Sequence, residues 1–154
     1  MVKNEEGNAG MAVEDVVKAA RRKIKCFVGV FTAESLPNLR ILRHDTCFIL
    51  IAQSHAIGVR IESRRIEVFD PLGFRNRKMI DFLFHFLHRH LPCKLLFVNT
   101  KIQADESTNC AFFVLLYLYA RQIGYSFAEY LNFFTAEFSE NDTRVKSLYR
   151  GVFE

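Results

Sequence analysis

Residues 46–73 read TCFILIAQSHAIGVRIESRRIEVFDPLG, and this stretch decides the fold. It contains three extended segments rich in Ile, Val and Phe, at residues 46–53, 56–62 and 65–70. Such residues favour strands, and Pro71 and Gly73 end the third segment. The break at residues 63–64 is short enough for a hairpin, so we expect an antiparallel meander of three strands.

Residues 108–123 read TNCAFFVLLYLYARQI, a segment that is apolar on nearly every face of a helix. Such a helix lies inside a fold rather than on its surface. The rest of the chain also divides into expected elements. We expect helices at residues 11–24, 78–91, 126–134 and 142–149, a strand at 94–99, and either a short strand or an ordered turn at 26–31. These elements predict an α+β fold, a mainly antiparallel sheet packed against a central buried helix that carries a candidate nucleophile.

The chain has 154 residues, a length typical of one domain. Hydrophobic residues make up 50% and charged residues 25%, which excludes a disordered or low-complexity protein. We expect a mobile polar tail at residues 1–10 and a single domain at residues 11–154. The longest apolar run, residues 110–120, is too short to cross a bilayer, and the acidic N-terminus lacks the pattern of a secretion signal. We therefore expect neither a membrane protein nor a secreted one.

The net charge of +4 permits contact with nucleic acid but does not require it. Three basic clusters could form a DNA-contacting surface: residues 21–25, 60–65 and 75–78. Such clusters are more often solvated faces. The four cysteines show no CxxC pair: Cys26, Cys47, Cys93 and Cys110. They are too few and too scattered for a disulfide scaffold, so we expect reduced thiols in a cytosolic or nuclear setting.

The segment HFLHRHLPC, residues 85–93, has three histidines and a cysteine in a pattern that invites a zinc interpretation. On a helix His85 and His88 share a face, but His90 points elsewhere, and no second pair of ligands follows. We therefore expect no metal site.

Cys110 is the candidate nucleophile, because it lies at the start of the buried helix, directly after the capping-type residues 107–109. The backbone N–H groups and the positive end of a helix dipole stabilise a thiolate there, which lowers the pKa of a cysteine. The alternative is a buried cysteine that only fills space in the core.

Three residues that could assist Cys110 precede it in the chain. His55 lies between two expected strands and could act as its base. Asp70 ends the next strand, so a hairpin can bring its carboxylate beside His55 to orient the imidazole; taken alone, it is a turn residue before a proline. Gln103 lies seven residues before Cys110, on a loop that can fold back to place its amide N–H beside the backbone N–H of the cysteine. Two such donors would form an oxyanion hole.

The chain resembles the adenain-like cysteine proteases of adenoviruses and related viruses in the order of four residues: His55, Asp70, Gln103 and Cys110. That family shares a fold with the ubiquitin-like-protein proteases. Its catalytic residues follow the order His, Asp or Glu, Gln and Cys along the chain, whereas in papain-type enzymes the cysteine comes first. Three features carry the resemblance: FVGVF at residues 27–31, VFDPLGF at residues 68–74, and the spacing from Gln103 to Cys110. They are similar to the family's Phe-Leu-Gly segment, its Phe-(Glu/Asp)-Pro-Phe-Gly-Phe signature and its Gln-to-Cys spacing.

Two positions depart from that family pattern. Ala56 follows the candidate histidine where the family usually has Trp, and Ala111 follows the candidate nucleophile where it usually has Gly. The loop at residues 104–109 is also more acidic than the adenoviral one. A non-enzymatic viral structural or DNA-associated protein that keeps the protease fold is therefore an alternative.

The resemblance implies a viral cysteine endopeptidase with His55, Asp70, Gln103 and Cys110 as its catalytic residues. It implies cleavage of viral capsid or core precursors during virion maturation, after small residues such as Gly-Gly, in the virion and the host nucleus or cytoplasm. Adenoviral members are activated by DNA and by a short viral peptide linked through a disulfide, and Cys93 lies close to where the peptide-linking cysteine falls. A deubiquitinase-like or deSUMOylase-like enzyme would share the site and differ only in its substrate.

Overall fold

The structure, a computed structural model, describes residues 11–32, 34–36, 45–52, 55–73, 77–90, 94–98 and 100–154. Within these ranges the chain forms five strands and five helices. The strands are β1 (Phe27–Phe31), β2 (Thr46–Ala52), β3 (His55–Ile61), β4 (Arg65–Phe69) and β5 (Lys94–Val98). The helices are α1 (Val13–Lys23), α2 (Arg77–His90), α3 (Cys110–Gln122), α4 (Phe127–Leu131) and α5 (Phe138–Phe153). The tail expected at residues 1–10 lies outside the described residues.

The five strands form one mixed sheet in the order β1-β2-β3-β4-β5. β2, β3 and β4 are antiparallel neighbours, which confirms the expected meander. The segment for which the sequence allows a strand or a turn forms β1, which is parallel to β2, and β5 is parallel to β4. Parallel neighbours need a crossover, and α2 lies in the one that joins β4 to β5. The antiparallel part is therefore the centre of the sheet, and both edge strands run parallel to their neighbours.

Alternate residues of the strands face opposite sides of the sheet, and each side is covered by helices. One side packs against α2 through apolar side chains that include Phe48, Leu50, Val59 and Leu83. The other side packs against α3, and α1, α4 and α5 complete the same hydrophobic core around that helix. The expected fold class, α+β with a sheet against a central buried helix, is confirmed.

Helix α3 is fixed against the sheet near both of its ends. Gly58 of β3 allows a close approach, because a Cβ atom there would lie 3.0 Å from Val114 Cγ1. Near the last turn, Arg121 Nε donates to the buried Glu67 Oε1 of β4 at 3.0 Å. These contacts hold the helix in a defined position, with Cys110 as its first residue.

The last two helices differ in extent from the sequence prediction. Ser126 and Glu129 form a capping box at the start of α4, and the helix ends at Leu131 rather than at residue 134. Helix α5 begins at Phe138, four residues before the expected start. Glu137 at its N-cap makes no side-chain cap, so no capping pattern in the sequence indicates this start. The longer α5 reaches the loop that precedes α3.

Candidate active site

His55 and Asp70 lie together at one end of the sheet. His55 is the first residue of β3, and Asp70 directly follows the last residue of β4. Because β3 and β4 are antiparallel, the start of one lies beside the end of the other. The His55 Nε2 and Asp70 Oδ1 atoms are 2.5 Å apart, which is a short hydrogen bond. The strand pairing thus brings an imidazole and a carboxylate into contact.

The carboxylate of Asp70 is oriented by its own turn. Its Oδ1 atom accepts the backbone N–H of Leu72 at 2.8 Å, and its carbonyl oxygen accepts that of Gly73 at 2.9 Å. Gly73 has a φ of 76°, a left-handed conformation that glycine adopts at little cost. Asp70 is only 4% exposed. Its carboxylate is therefore oriented toward His55 and shielded from water.

Cys110 lies at the N-terminus of α3 and is only 2% exposed. Its Sγ atom accepts the backbone N–H of Ala56, with the two atoms 3.4 Å apart. Ala56 directly follows His55, so this contact holds the sulfur beside the imidazole. Asp70 binds Nε2 of the ring, so Nδ1 is the ring nitrogen that remains for an interaction with Cys110.

The pKa of His55 reflects its burial and both of its partners. Burial of the ring lowers the pKa, but hydrogen bonds to Asp70 and Cys110, with the negative charge of these groups, raise it from 6.5 to about 9. The raised pKa favours the protonated form of His55 at neutral pH. A charged imidazole beside a cysteine stabilises the thiolate, which is the nucleophilic form of the side chain.

Gln103 lies on the loop before α3 and is 1% exposed. Its backbone N–H donates to the Pro71 carbonyl at 3.1 Å, and the N–H of Ile102 donates to the same oxygen at 2.9 Å, so the loop is joined to the Asp70 turn. The Nε2 atom of Gln103 donates to the Ser107 carbonyl at 3.0 Å, which engages one of its two hydrogens. The Oε1 atom is buried and accepts no hydrogen bond within the described part of the chain.

Two consecutive residues of α5 contact the same loop. Asn141 Nδ2 donates to the Ile102 carbonyl at 3.0 Å, and Asp142 Oδ1 accepts the Ser107 hydroxyl at 2.6 Å. The partners are 39 and 35 positions apart in the chain, so no local pattern indicates either contact. The one sequence signal for these contacts is that Asn141 and Asp142 are adjacent near an expected helix start, and this pair fits a helix cap equally well.

Cys93, which the resemblance places near a peptide-linking position, lies outside the described residues, as do the side chains of His88 and His90. Among the residues that are described, no group of three or more His, Cys, Asp and Glu side chains could hold a metal ion. A membrane-spanning helix, long and apolar enough to cross a bilayer, is likewise not found in those ranges.

The basic cluster at residues 60–65 is engaged by neighbouring carboxylates. Glu62 accepts from Arg60 Nη1 at 3.0 Å and from Arg65 Nε at 2.9 Å. Both arginines also approach the buried Glu67, at 3.5 and 3.6 Å. Guanidinium groups that are paired in this way offer less charge to a phosphate backbone than the sequence suggests. DNA contact stays a prediction from the sequence.

No protein-family model matches the sequence, and no curated protein matches it either. Solved structures do match. The crystal structure of the ASFV pS273R protease has a TM-score of 0.66 at 14% sequence identity, and the match covers 95% of this chain and 68% of that one. A selenomethionine crystal structure of the same protease has a TM-score of 0.51 at 17% identity, covering 92% and 68%.

A bacterial structure also matches. The central domain of the uncharacterized Lpg1148 protein from Legionella pneumophila has a TM-score of 0.59 at 12% identity, covering 94% of this chain and 98% of that one. At such identities the likeness establishes the fold. The five-stranded sheet packed against helices is the fold of the ASFV pS273R protease, and it agrees with the fold expected from the adenain-like resemblance.

Proposed function

We propose that the protein is a cysteine endopeptidase in which Cys110 is the nucleophile, His55 the general base and Asp70 the residue that orients His55. The observation that carries this proposal is the hydrogen bond between Asp70 and His55, together with the Cys110 sulfur that the backbone N–H of Ala56 holds next to His55 at the N-terminus of a buried helix. A cysteine that only fills space needs neither an imidazole nor a carboxylate beside it. The likeness in fold to the ASFV pS273R protease supports the same assignment.

The chemistry that suits this geometry is acyl transfer through sulfur. The Cys110 thiolate attacks a peptide carbonyl, a C–S bond forms, and the carbonyl electron pair moves to oxygen. The tetrahedral intermediate collapses, the C–N bond breaks, and protonated His55 gives its proton to the leaving amine. Neutral His55 then takes a proton from water, which attacks the thioester, and the broken C–S bond returns the thiolate.

We assign stabilisation of the oxyanion to Gln103 and to the N-terminus of α3. The Gln103 amide gives one hydrogen to Ser107 and retains a second for the developing charge. The backbone N–H of Cys110 belongs to the first turn of α3, where N–H groups point out of the helix and the dipole is positive. Donors fixed in this way act on charge that develops only in the transition state.

The substrate part of the proposal is supported by the sequence resemblance. It names viral capsid or core precursors, cut after small residues such as Gly-Gly during virion maturation. Activation by DNA, or by a viral peptide bound through Cys93, belongs to the same proposal. A deubiquitinase-like or deSUMOylase-like enzyme would use the same four residues. Comparing the cleavage of viral precursor proteins with that of ubiquitin-like conjugates would distinguish such an enzyme from a maturation protease.

The test is covalent labelling with a peptide that ends in Gly-Gly and carries a vinyl sulfone, with and without DNA. We expect the wild type to be labelled at Cys110, Cys110→Ala to lose all labelling, and His55→Ala to lose most of it. Cys26→Ala is the matched control, because Cys26 is an exposed thiol outside the site and its loss should leave the labelling unchanged. Thermal unfolding should show that Cys110→Ala stays folded, since the cavity it creates is small.

Two results would contradict the proposal. One is labelling that persists in Cys110→Ala, which would place the reactive thiol elsewhere. The other is a folded wild type that stays unlabelled with and without DNA, which would favour the non-enzymatic alternative. Cys47 is a poor candidate for stray labelling, because burial raises the pKa of its thiol to about 12.

A further inference from the structure

The loop at residues 104–109 determines where Gln103 and Cys110 lie relative to each other. A turn forms within it, because the Ser107 N–H donates to the Ala104 carbonyl at 3.1 Å. A turn shapes the loop but does not fix its position against the rest of the molecule. Contacts from outside the loop must do so, and they come from Gln103, from Lys101, which pairs with Asp105, and from α5.

Ser107 connects the loop to both ends of the proposed oxyanion hole. Its carbonyl oxygen accepts the Nε2 hydrogen of Gln103 at 3.0 Å. Its hydroxyl oxygen accepts the backbone N–H of Asn109, the residue before Cys110, at 3.1 Å. A shift of Ser107 would therefore displace the Gln103 amide and the start of α3 together.

Asp142 is the residue that holds Ser107. Its Oδ1 atom accepts the Ser107 hydroxyl hydrogen at 2.6 Å. Burial raises the pKa of this carboxyl, whereas Ser107, the Asn109 side chain and the Ala104 backbone lower it. The hydrogen bond to Ser107 fixes the middle of the loop, and through Ser107 it reaches both Gln103 and Asn109.

Asn141 makes a different kind of contact. It is completely buried, and its Nδ2 donates to the carbonyls of Ile102 and Thr135 at 3.0 and 2.8 Å, while its Oδ1 accepts the Thr135 N–H at 2.8 Å. These bonds join α5 to the backbone before the loop. Loss of Asn141 would leave buried polar groups unpaired and destabilise the fold. Asp142 is half-buried at the loop itself, so its replacement is better tolerated and more informative.

We propose that Asp142 is a positioning residue of the site, which holds the Gln103 amide and the N-terminus of α3 at the oxyanion through Ser107 and Asn109. The inference rests on the proposed function. Asp142 acts through other residues and is not itself catalytic. A carboxylate suits this role because both of its oxygens accept, whereas an asparagine has one oxygen and can turn an N–H group toward the Ser107 hydroxyl.

The expected signature of Asp142→Asn is a change in kcat with little change in KM. Loss of one oxyanion donor costs about 100–1000-fold in rate, and a displaced donor should cost less, about 10–100-fold in kcat. Alkylation of Cys110 by iodoacetamide should fall much less than kcat, because that reaction depends mainly on His55 and Asp70 and forms no oxyanion. A residue with only a structural role would lower the Tm and slow both reactions together.

The measurement is hydrolysis of a fluorogenic peptide amide that ends in Gly-Gly, together with iodoacetamide alkylation and thermal unfolding. Glu137→Gln is the matched control, since it removes one exposed carboxylate near the same end of α5 and should leave kcat unchanged. Ser107→Ala should lower kcat like Asp142→Asn, and Ser107→Thr, which keeps the hydroxyl, should restore it. This pair also decides the question if Asp142→Asn fails to fold.

Each negative result has a distinct meaning. If the wild type hydrolyses the peptide and folded Asp142→Asn keeps the same kcat, the positioning role is wrong and the proposed function stands. Unchanged kcat in Ser107→Ala has the same meaning. If the wild type is neither labelled by the vinyl sulfone nor active on the peptide, the proposed function fails and the role of Asp142 fails with it.

Discussion

The proposed site has two halves that differ in how they are positioned. The sheet half is His55 and Asp70, which are 15 positions apart and meet because neighbouring antiparallel strands bring them together. The loop half is Gln103 and Cys110, and in our proposal its arrangement depends on a contact from Ser107 to Asp142, which are 35 positions apart. Backbone pairing thus places the proposed base, whereas a few side-chain hydrogen bonds place the proposed oxyanion donors. We expect the two halves to respond differently to substitution.

The largest effect is expected from Asp70→Asn, which breaks the sheet half. The amide lacks the negative charge that supports the imidazolium and presents an N–H where His55 needs an acceptor, so kcat/KM should fall by about 1000–10,000-fold. Some activity should remain above that of Cys110→Ala, because the nucleophile is intact. Peptide hydrolysis measures both, with the exposed Asp81→Asn as control. Wild-type activity in Asp70→Asn would show that the short hydrogen bond has no role in turnover.

A smaller effect is expected from Gln103→Ala, which breaks only the loop half. Loss of one oxyanion donor should lower kcat by about 100-fold. Alkylation of Cys110 by iodoacetamide should continue at the wild-type rate, because the sheet half is unchanged. Gln122→Ala, near the other end of α3, is the matched control and should keep full activity. Equal loss of alkylation and hydrolysis would instead mean that Gln103 supports the whole fold.

The smallest expected effect is on stability, and it tests the raised pKa of His55 in the sheet half. The pKa of His55 is raised on folding, from 6.5 to about 9, so its contribution to stability is fully present below pH 6.5 and is lost as the pH rises through about 9. The Tm difference between wild type and His55→Ala should therefore shrink over this range. In an Asp70→Asn background the same difference should depend much less on pH. A difference that stays constant with pH in the wild type would contradict the raised pKa.

The parts of the fold that the sequence predicts are those with a local signal. Strands β2 to β4 are short runs rich in Ile, Val and Phe that end at turns, and α3 is apolar over most of its length, so both follow from short windows of sequence. The parallel direction of β1 and β5 depends on crossovers, and a strand pattern carries no information about its neighbour. The start of α5 lacks a side-chain cap at Glu137, and for that reason the sequence places it at Asp142.

The same distinction holds within the site. A strand end places His55, a turn before a proline places Asp70, and a helix start places Cys110, so local patterns suffice to nominate all three residues. Gln103 lies on an irregular loop, and its bond to Ser107 follows from how α5 docks. Side-chain contacts across 35 or 39 positions depend on tertiary packing that no short window contains.

The contact between Asp142 and the loop has a consequence for protein synthesis. A ribosome makes His55, Asp70, Gln103 and Cys110 before it makes α5. All four residues of the proposed site are therefore synthesised while the loop half still lacks the carboxylate of Asp142. Under the proposed function, the order of the elements along the chain delays peptide cleavage until α5 has been synthesised and has docked.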